Sequence, residues 1–505
     1  MRIAHFQYYK AALFCFIALV TSCKPKTIDH FISVDGLPSI RPDYTSVTVP
    51  YNIAPLNFLI EEDADDYQVK ISSAKGKPIV ISGDKTIQIP EKDWKTLLSE
   101  NRGKPLFIDI FVKKGGNWKK YKTIENSIAD EPIDGYLVYR LIEPLYVNWQ
   151  KMGIYQRCLE NFEEKSVLNN NLTQGECMNC HSFQMNSPQN MLIHLRGKRN
   201  GGTLVVSGNK VTKINTKTSG AMSPGVYPAW HPTQNLIAFS VNEIGQLFHA
   251  RSTEKIEVLD VQSDLVLYDV DKNQITPIIQ SNKYFETFPA WSPDGRYLYF
   301  CSARCPTDRP KTDKLRGFDI SEQYTDLKYN ILRIAFDPKS RKFGAVDTVV
   351  NALKLNKSAS FPRISPDGKF LLFCLSDYGN FSIWHKSSDL YLMNLQIRQL
   401  SRLDAVNSND VESYHTWSSN GRWFVFSSRR IDGSYTRPYF AYFDKNGKAY
   451  KPFLLPQEDP LYYQSLYKSY NVPELIKTPV NINIRDFEKQ ALEPPKPAGY
   501  SPVKE

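Results

Sequence analysis

Short apolar runs and polar turns alternate along most of this chain, and between residues 227 and 427 the alternation repeats. Residues 227–240, 288–301, 361–374 and 414–427 each open on an aromatic residue and pass through a tight turn, Pro293-Asp294-Gly295, Pro366-Asp367-Gly368 or Ser419-Asn420-Gly421. Each ends on an apolar run such as Leu371-Leu372-Phe373. A further strand pair follows each unit, for example Leu265-Val266-Leu267-Tyr268 and then Gln274-Ile275-Thr276. No such unit could bury both of its faces alone, so units of four strands must stack around an axis.

The repeats resemble those of the TolB-type periplasmic propeller family. With a degenerate unit at 177–216 and a strand pair upstream, the units fall at 134–170, 177–216, 227–280, 288–351, 361–403 and 414–455. The fold class expected is all-β: a six-bladed β-propeller spanning 134–470, or seven-bladed if the terminal strands close a further blade. Residues 27–133, with six short runs such as Tyr67-Gln68-Val69-Lys70-Ile71 and one helix beginning near Glu91, read as a small β-sandwich. Beyond Tyr463 the text turns polar, and 471–505 reads as a wrapping or disordered extension.

The N-terminus changes the picture of compartment. Arg2 and Lys10 flank a polar start, 11–20 is apolar, and Val20-Thr21-Ser22-Cys23 follows. Ten apolar residues are too few for a permanent span, so 1–22 reads as a removed signal. The last four residues resemble a bacterial lipobox, which implies acylation of Cys23. The acidic run after the lipid site that resembles a surface-export signal in Bacteroidetes-type lipoproteins is missing, so the periplasmic side of the outer membrane is expected. The formal charge of +10 is spread along the chain, which gives no nucleic-acid footprint.

One run has its chemistry set by spacing: Cys177-Met178-Asn179-Cys180-His181. With eight Cys and eight His in 505 residues, chance predicts about 0.002 copies of such a pattern. It resembles the attachment site of cytochrome c, which implies a covalent haem c on Cys177 and Cys180 with His181 as proximal iron ligand. A Cys177/Cys180 disulfide and half of a metal site compete with that reading, although no second CxxC or HxxxH completes a zinc site.

Blade topology places the motif in the loop leading into a first strand. It puts His415, His385 and His249 on the same rim as distal-ligand candidates, with His194 close in sequence and Met185 or Met191 as a thioether alternative. The insertions 242–263 and 303–329 are expected to wall the haem, with Arg251, Arg304, Arg309 and Arg316 available to its propionates. Of the remaining thiols, Cys301 and Cys305 could form a loop disulfide, whereas Cys301 and Cys374 should face different interfaces.

The function expected is a membrane-tethered haem protein for electron transfer or redox and ligand sensing, with a redox or envelope protein as partner and no enzymatic activity. A TolB-like interaction scaffold without haem is the alternative. A propeller hydrolase is disfavoured, because neither a GxSxG elbow nor a paired-carboxylate constellation is present.

Overall fold

The computed structural model describes residues 28–143, 151–197, 201–252 and 254–502; the signal segment and Cys23 lie outside them. The fold is all-β. Residues 134–476 form six four-stranded antiparallel sheets. Sheet I holds Tyr136–Ile142, Gly153–Cys158, Glu164–Asn169 and, as its innermost strand, Ser469–Ile476. Sheets II to VI begin with the innermost strands Cys177–Gln184, Val226–Trp230, Tyr284–Trp291, Ser358–Ile364 and Glu412–Trp417. These six strands touch one another in the cycle I–II–III–IV–V–VI–I.

The turns explain why the repeat folds as it does. In sheet IV the Ser292 hydroxyl donates to Asp294 and accepts the Tyr297 N–H, while Gly295 sits at φ 69°. Ser365, Asp367 and Gly368 reproduce this in sheet V, and Ser418, Asn420 and Gly421 in sheet VI. Side-chain oxygens close the turn and glycine supplies the left-handed residue.

Each innermost strand also carries a β-bulge. In sheets I and III to VI its first residue has positive φ: Val472, Tyr227, Phe288, Phe361 and Tyr414, at 48–54°. Three ring pairs, Tyr227–Phe288, Phe288–Phe361 and Phe361–Tyr414, pack edge-on or tilted with centroids 4.4, 4.2 and 4.8 Å apart, so the positive-φ positions of neighbouring sheets touch one another.

The extension after residue 470 is corrected by the structure. Ser469–Ile476 pairs antiparallel with Tyr136–Ile142, because the first sheet lacks an inner strand of its own. Downstream, the helix Ile484–Leu492 buries Phe487 and Ala491. Lys496–Pro497 and Gly499–Tyr500 then pair parallel with the outer edges of sheets II and III. The expected insertion 242–263 is likewise not a loop. Leu236–Phe248 and Ile256–Asp269 continue as one long hairpin beyond the neighbouring sheets.

Residues 32–129 form a seven-stranded and a three-stranded sheet, with a helix at Glu91–Glu100 whose Trp94 donates its indole N–H to the Ile53 carbonyl. This part rests on sheets VI and I: Tyr44 donates to Leu454 O, Trp423 to Glu131 O, and Ala54 N–H to Leu159 O.

Candidate functional site around Cys177, Cys180 and His181

The motif lies in a strand, not in the loop before it. Met178 pairs with Leu195 and His181 with Ile193, so Asn179 and Cys180 stand opposite His194 alone. That bulge breaks the alternation of side chains. Met178 goes into the core, while Cys177, Asn179, Cys180 and His181 all line one cavity of about 380 Å³. Register matches His181 to Ala229, Ala290, Arg363, Thr416 and Glu474 in the other five sheets.

The bulge is fixed from sheet I. Arg140, buried, donates to the carbonyls of Met178 (2.9 Å) and Asn179 (2.7 Å) through one terminal nitrogen and to Asn471 Oδ1 (2.8 Å) through the other. His181 is 2% exposed, and neither ring nitrogen makes a hydrogen bond of normal geometry. Burial, with the Arg140 guanidinium, drives its pKa down to about 3, and the nearby Val138 and Val472 carbonyls oppose this only in part. The ring is therefore neutral at pH 7, the form that ligates metals. Burial also raises the pKa of both Cys177 and Cys180, so they rest as thiols.

The remaining lining is largely apolar and aromatic, with Tyr227, which lies against Cys180, and Phe288, Phe361, Tyr414 and Phe381, and the long hairpin contributes Ile244, Phe248, Ile256 and Val258. Arg140, Arg196 and Arg363 supply positive charge, and Glu474 stands between this cavity and a second one of about 240 Å³ at the opposite end of the axis. Burial outweighs the attraction of Arg363 and lifts the Glu474 pKa to about 8.

None of the expected distal ligands lines this cavity. His415 lies within a strand, with Nε2 3.0 Å from Leu372 O and Nδ1 3.7 Å from Cys374 Sγ. His385 pairs with Glu257 at 2.9 Å, His249 stacks on Tyr324, and His194 bonds Thr203 at 3.0 Å. Met191 is core, and Met185 is 47% exposed at the far turn. For His415 a bulge accounts for this, since the register of its strand shifts between Ser413 and Thr416, whereas His385 follows a short 3-10 turn and His249 the end of the long hairpin strand.

The arginines expected at the propionates are also elsewhere. Arg309 pairs with Asp319 and Asp313, Arg316 is buried against Phe285 with bonds to Val261 O and Arg309 O, and neither Arg251 nor Arg304 reaches the cavity. Cys301 and Cys305 are unbonded, as are Cys158, Cys177, Cys180 and Cys374. Among the described residues no three His, Cys, Asp or Glu gather to hold a metal ion, Cys177, Cys180 and His181 included.

Arg140, Arg363 and Glu474 were not singled out from sequence. For Arg363 the signal existed, since it stands two places after the repeated aromatic position at Phe361.

No family model and no curated protein matches the chain. Among solved structures, it is similar to prolyl oligopeptidase B from Galerina marginata (12% identity, 80% of this chain and 54% of that one, TM-score 0.35). It is also similar to a DUF4784 family protein from Bacteroides caccae (9%, 72% and 95%, TM-score 0.28) and to an ancestral GH74 enzyme (9%, 64% and 39%, TM-score 0.30). The chain spans about half the length of the oligopeptidase. Likeness this remote carries nothing about chemistry, in either direction.

Proposed function

We propose that this chain is a c-type haem protein on a six-bladed, TolB-like propeller, tethered by Cys23 to the periplasmic side of the outer membrane, and that it transfers electrons or senses a redox partner or small ligand. The observation that carries the reading is the convergence of Cys177, Cys180 and a buried, neutral His181 on one largely apolar cavity. By residue type the lining would suit a haem, with two thiols for thioethers, one imidazole for iron, aromatic surface for the macrocycle and Arg196 and Arg363 for propionates, and the covered nitrogens of His181 would have to be turned toward the cavity to reach the iron. Bound there, such a group supplies one-electron chemistry. The chain's own part is to hold the imidazole neutral and oriented and to exclude water.

The cyclic contact of the six inner strands supports the propeller. Haem staining after denaturing electrophoresis tests the main claim: a covalent group gives a stained band that Cys177→Ser with Cys180→Ser removes. The scaffold reading has one observation in its favour, since the motif is paired into a β-ladder that requires no bound group; an unstained wild-type band would select it. Cys23→Ala should move the protein from the membrane to the soluble fraction, and unchanged membrane recovery would refute the tether.

A further inference from the structure

We infer that the second axial cavity is a binding site for a small monocarboxylate with a short apolar tail, its carboxylate held by Arg363. This inference does not rest on the haem reading. The cavity, of about 240 Å³, is bordered by the turn residues Pro293 and Pro366 and is built unevenly around the axis. At the level that register matches to His181, sheets III and IV contribute only the methyl groups of Ala229 and Ala290, whereas sheets V, VI and I contribute Arg363, Thr416 and Glu474. One half of the wall is therefore apolar, continued by Pro228, and the other half is polar. The polar half stands on a fixed backbone. The Trp417 indole donates to Arg363 O at 3.1 Å, and the Thr416 hydroxyl donates to Pro473 O at 2.9 Å, beside Glu474.

The charges on that half select the ligand. Burial pulls the Arg363 guanidinium below its ordinary pKa, against the attraction of Glu474, yet an arginine stays charged at neutral pH. Its Nη1 donates to Pro362 O at 3.0 Å, and the rest of the fork is left for the cavity. Glu474 does not supply the counter-charge. Burial lifts it to about 8 against the pull of Arg363 and the Phe183 N–H, so at pH 7 it is an acid whose O–H is itself a donor. Lys477, exposed, lines the same cavity and adds a second positive charge. A charge taken out of water is stable only when paired, and an anion with two coplanar oxygens matches the guanidinium fork while accepting the Glu474 proton. The methyl groups across the axis leave room for an alkyl tail and reward its burial. Arg363 also borders the first cavity, and its five N–H donors suffice for a contact on each side.

The experiment is isothermal titration calorimetry of the full-length protein at pH 7 with butyrate, its neutral amide and butylammonium as probes. Butyrate is expected to bind, and the other two to bind about tenfold or more weakly. Arg363→Met should abolish the butyrate heat, and Arg363→Lys, which keeps the charge, should retain part of it. Ala290→Val narrows the apolar half and should weaken butyrate more than acetate. Circular dichroism melts check that each variant is folded, and if Arg363→Met is not, the Ala290→Val comparison of chain lengths decides alone. A preference for butylammonium would show an ionised Glu474 that recognises cations and would overturn the inference. So would a butyrate heat unchanged by Arg363→Met and Ala290→Val, which would put the anion elsewhere, and so would no heat from butyrate at millimolar concentration.

Discussion

At the scale of single residues, His181 is held in a way that ordinary core histidines in this chain are not. His194 and His415 are equally buried, and burial drives both to a pKa of about 3, yet each has a hydrogen-bonding partner. His181 has none of normal geometry. Substitution to alanine removes two unsatisfied buried nitrogens and leaves a small cavity, and these effects oppose each other. His181→Ala should therefore leave the stability of the haem-free protein within about 1 kcal/mol of wild type while abolishing stable haem incorporation. A large drop in denaturation midpoint would show that the ring is structural.

Arg140 behaves in the opposite sense. Arg140→Met strands the buried carbonyls of Met178 and Asn179 and should cost about 3 kcal/mol, read as a lower denaturant midpoint with unchanged m-value. An unaltered midpoint would mean that the bulge needs no clamp.

At the scale of elements, the bulge of each inner strand decides which residues face the axis. Two adjacent residues oppose one, so the residue that follows lands on the axial side in every sheet, as His181, Arg363 and Glu474 do. The repeat of aromatic and turn residues was legible in sequence, and so was the position of each strand pair. The bulge was not. It recurs with aromatic residues at Tyr227, Phe288, Phe361 and Tyr414 and without one at Val472, so periodicity carries no sign of it. His415 was misplaced for this reason, since assigning it to a rim ignored which way its side chain would turn. The long hairpin also read as a loop because its exposed outer part, with Glu243, Gly245 and Gln246, lacks the apolar alternation of a buried strand.

At the scale of the whole molecule, closure depends on the two ends of the chain meeting in sheet I. Ser469–Ile476 is the inner strand there, and its Tyr470 and Asn471 are fully buried. A chain ending at residue 468 should lose cooperative unfolding by circular dichroism, because the ring would open and expose the strand edges flanking the gap. A sharp transition in that truncated protein would show that five sheets and an incomplete sixth suffice.

The buried carboxyls set the alkaline response. Glu286, beside Asp264, and Glu474 are both lifted by burial to about 8, so each is protonated in the fold but ionised in the unfolded chain above about pH 4.5. A folded pKa above the unfolded one means that the stability is complete below about pH 4.5 and declines as pH rises to about 8, by up to about 1.4 kcal/mol per pH unit for each group. Urea midpoints should thus fall between pH 6.5 and 8, and Glu286→Gln with Glu474→Gln should flatten that limb. An equal slope in the double variant would assign the effect to other groups.

The one-dimensional text determined what depends on neighbouring residues: the turns, the strand pairs, the recurrence of units and the CxxCH spacing. Only the folded chain decided what depends on register and on contacts hundreds of residues apart. Such contacts supply the inner strand from the C-terminal region, the Arg140 clamp and the set of side chains that share the cavity with His181. The physical reason is that a β-strand offers two faces, and which face a residue takes is settled by bulges and by packing between sheets, neither of which has a period along the chain.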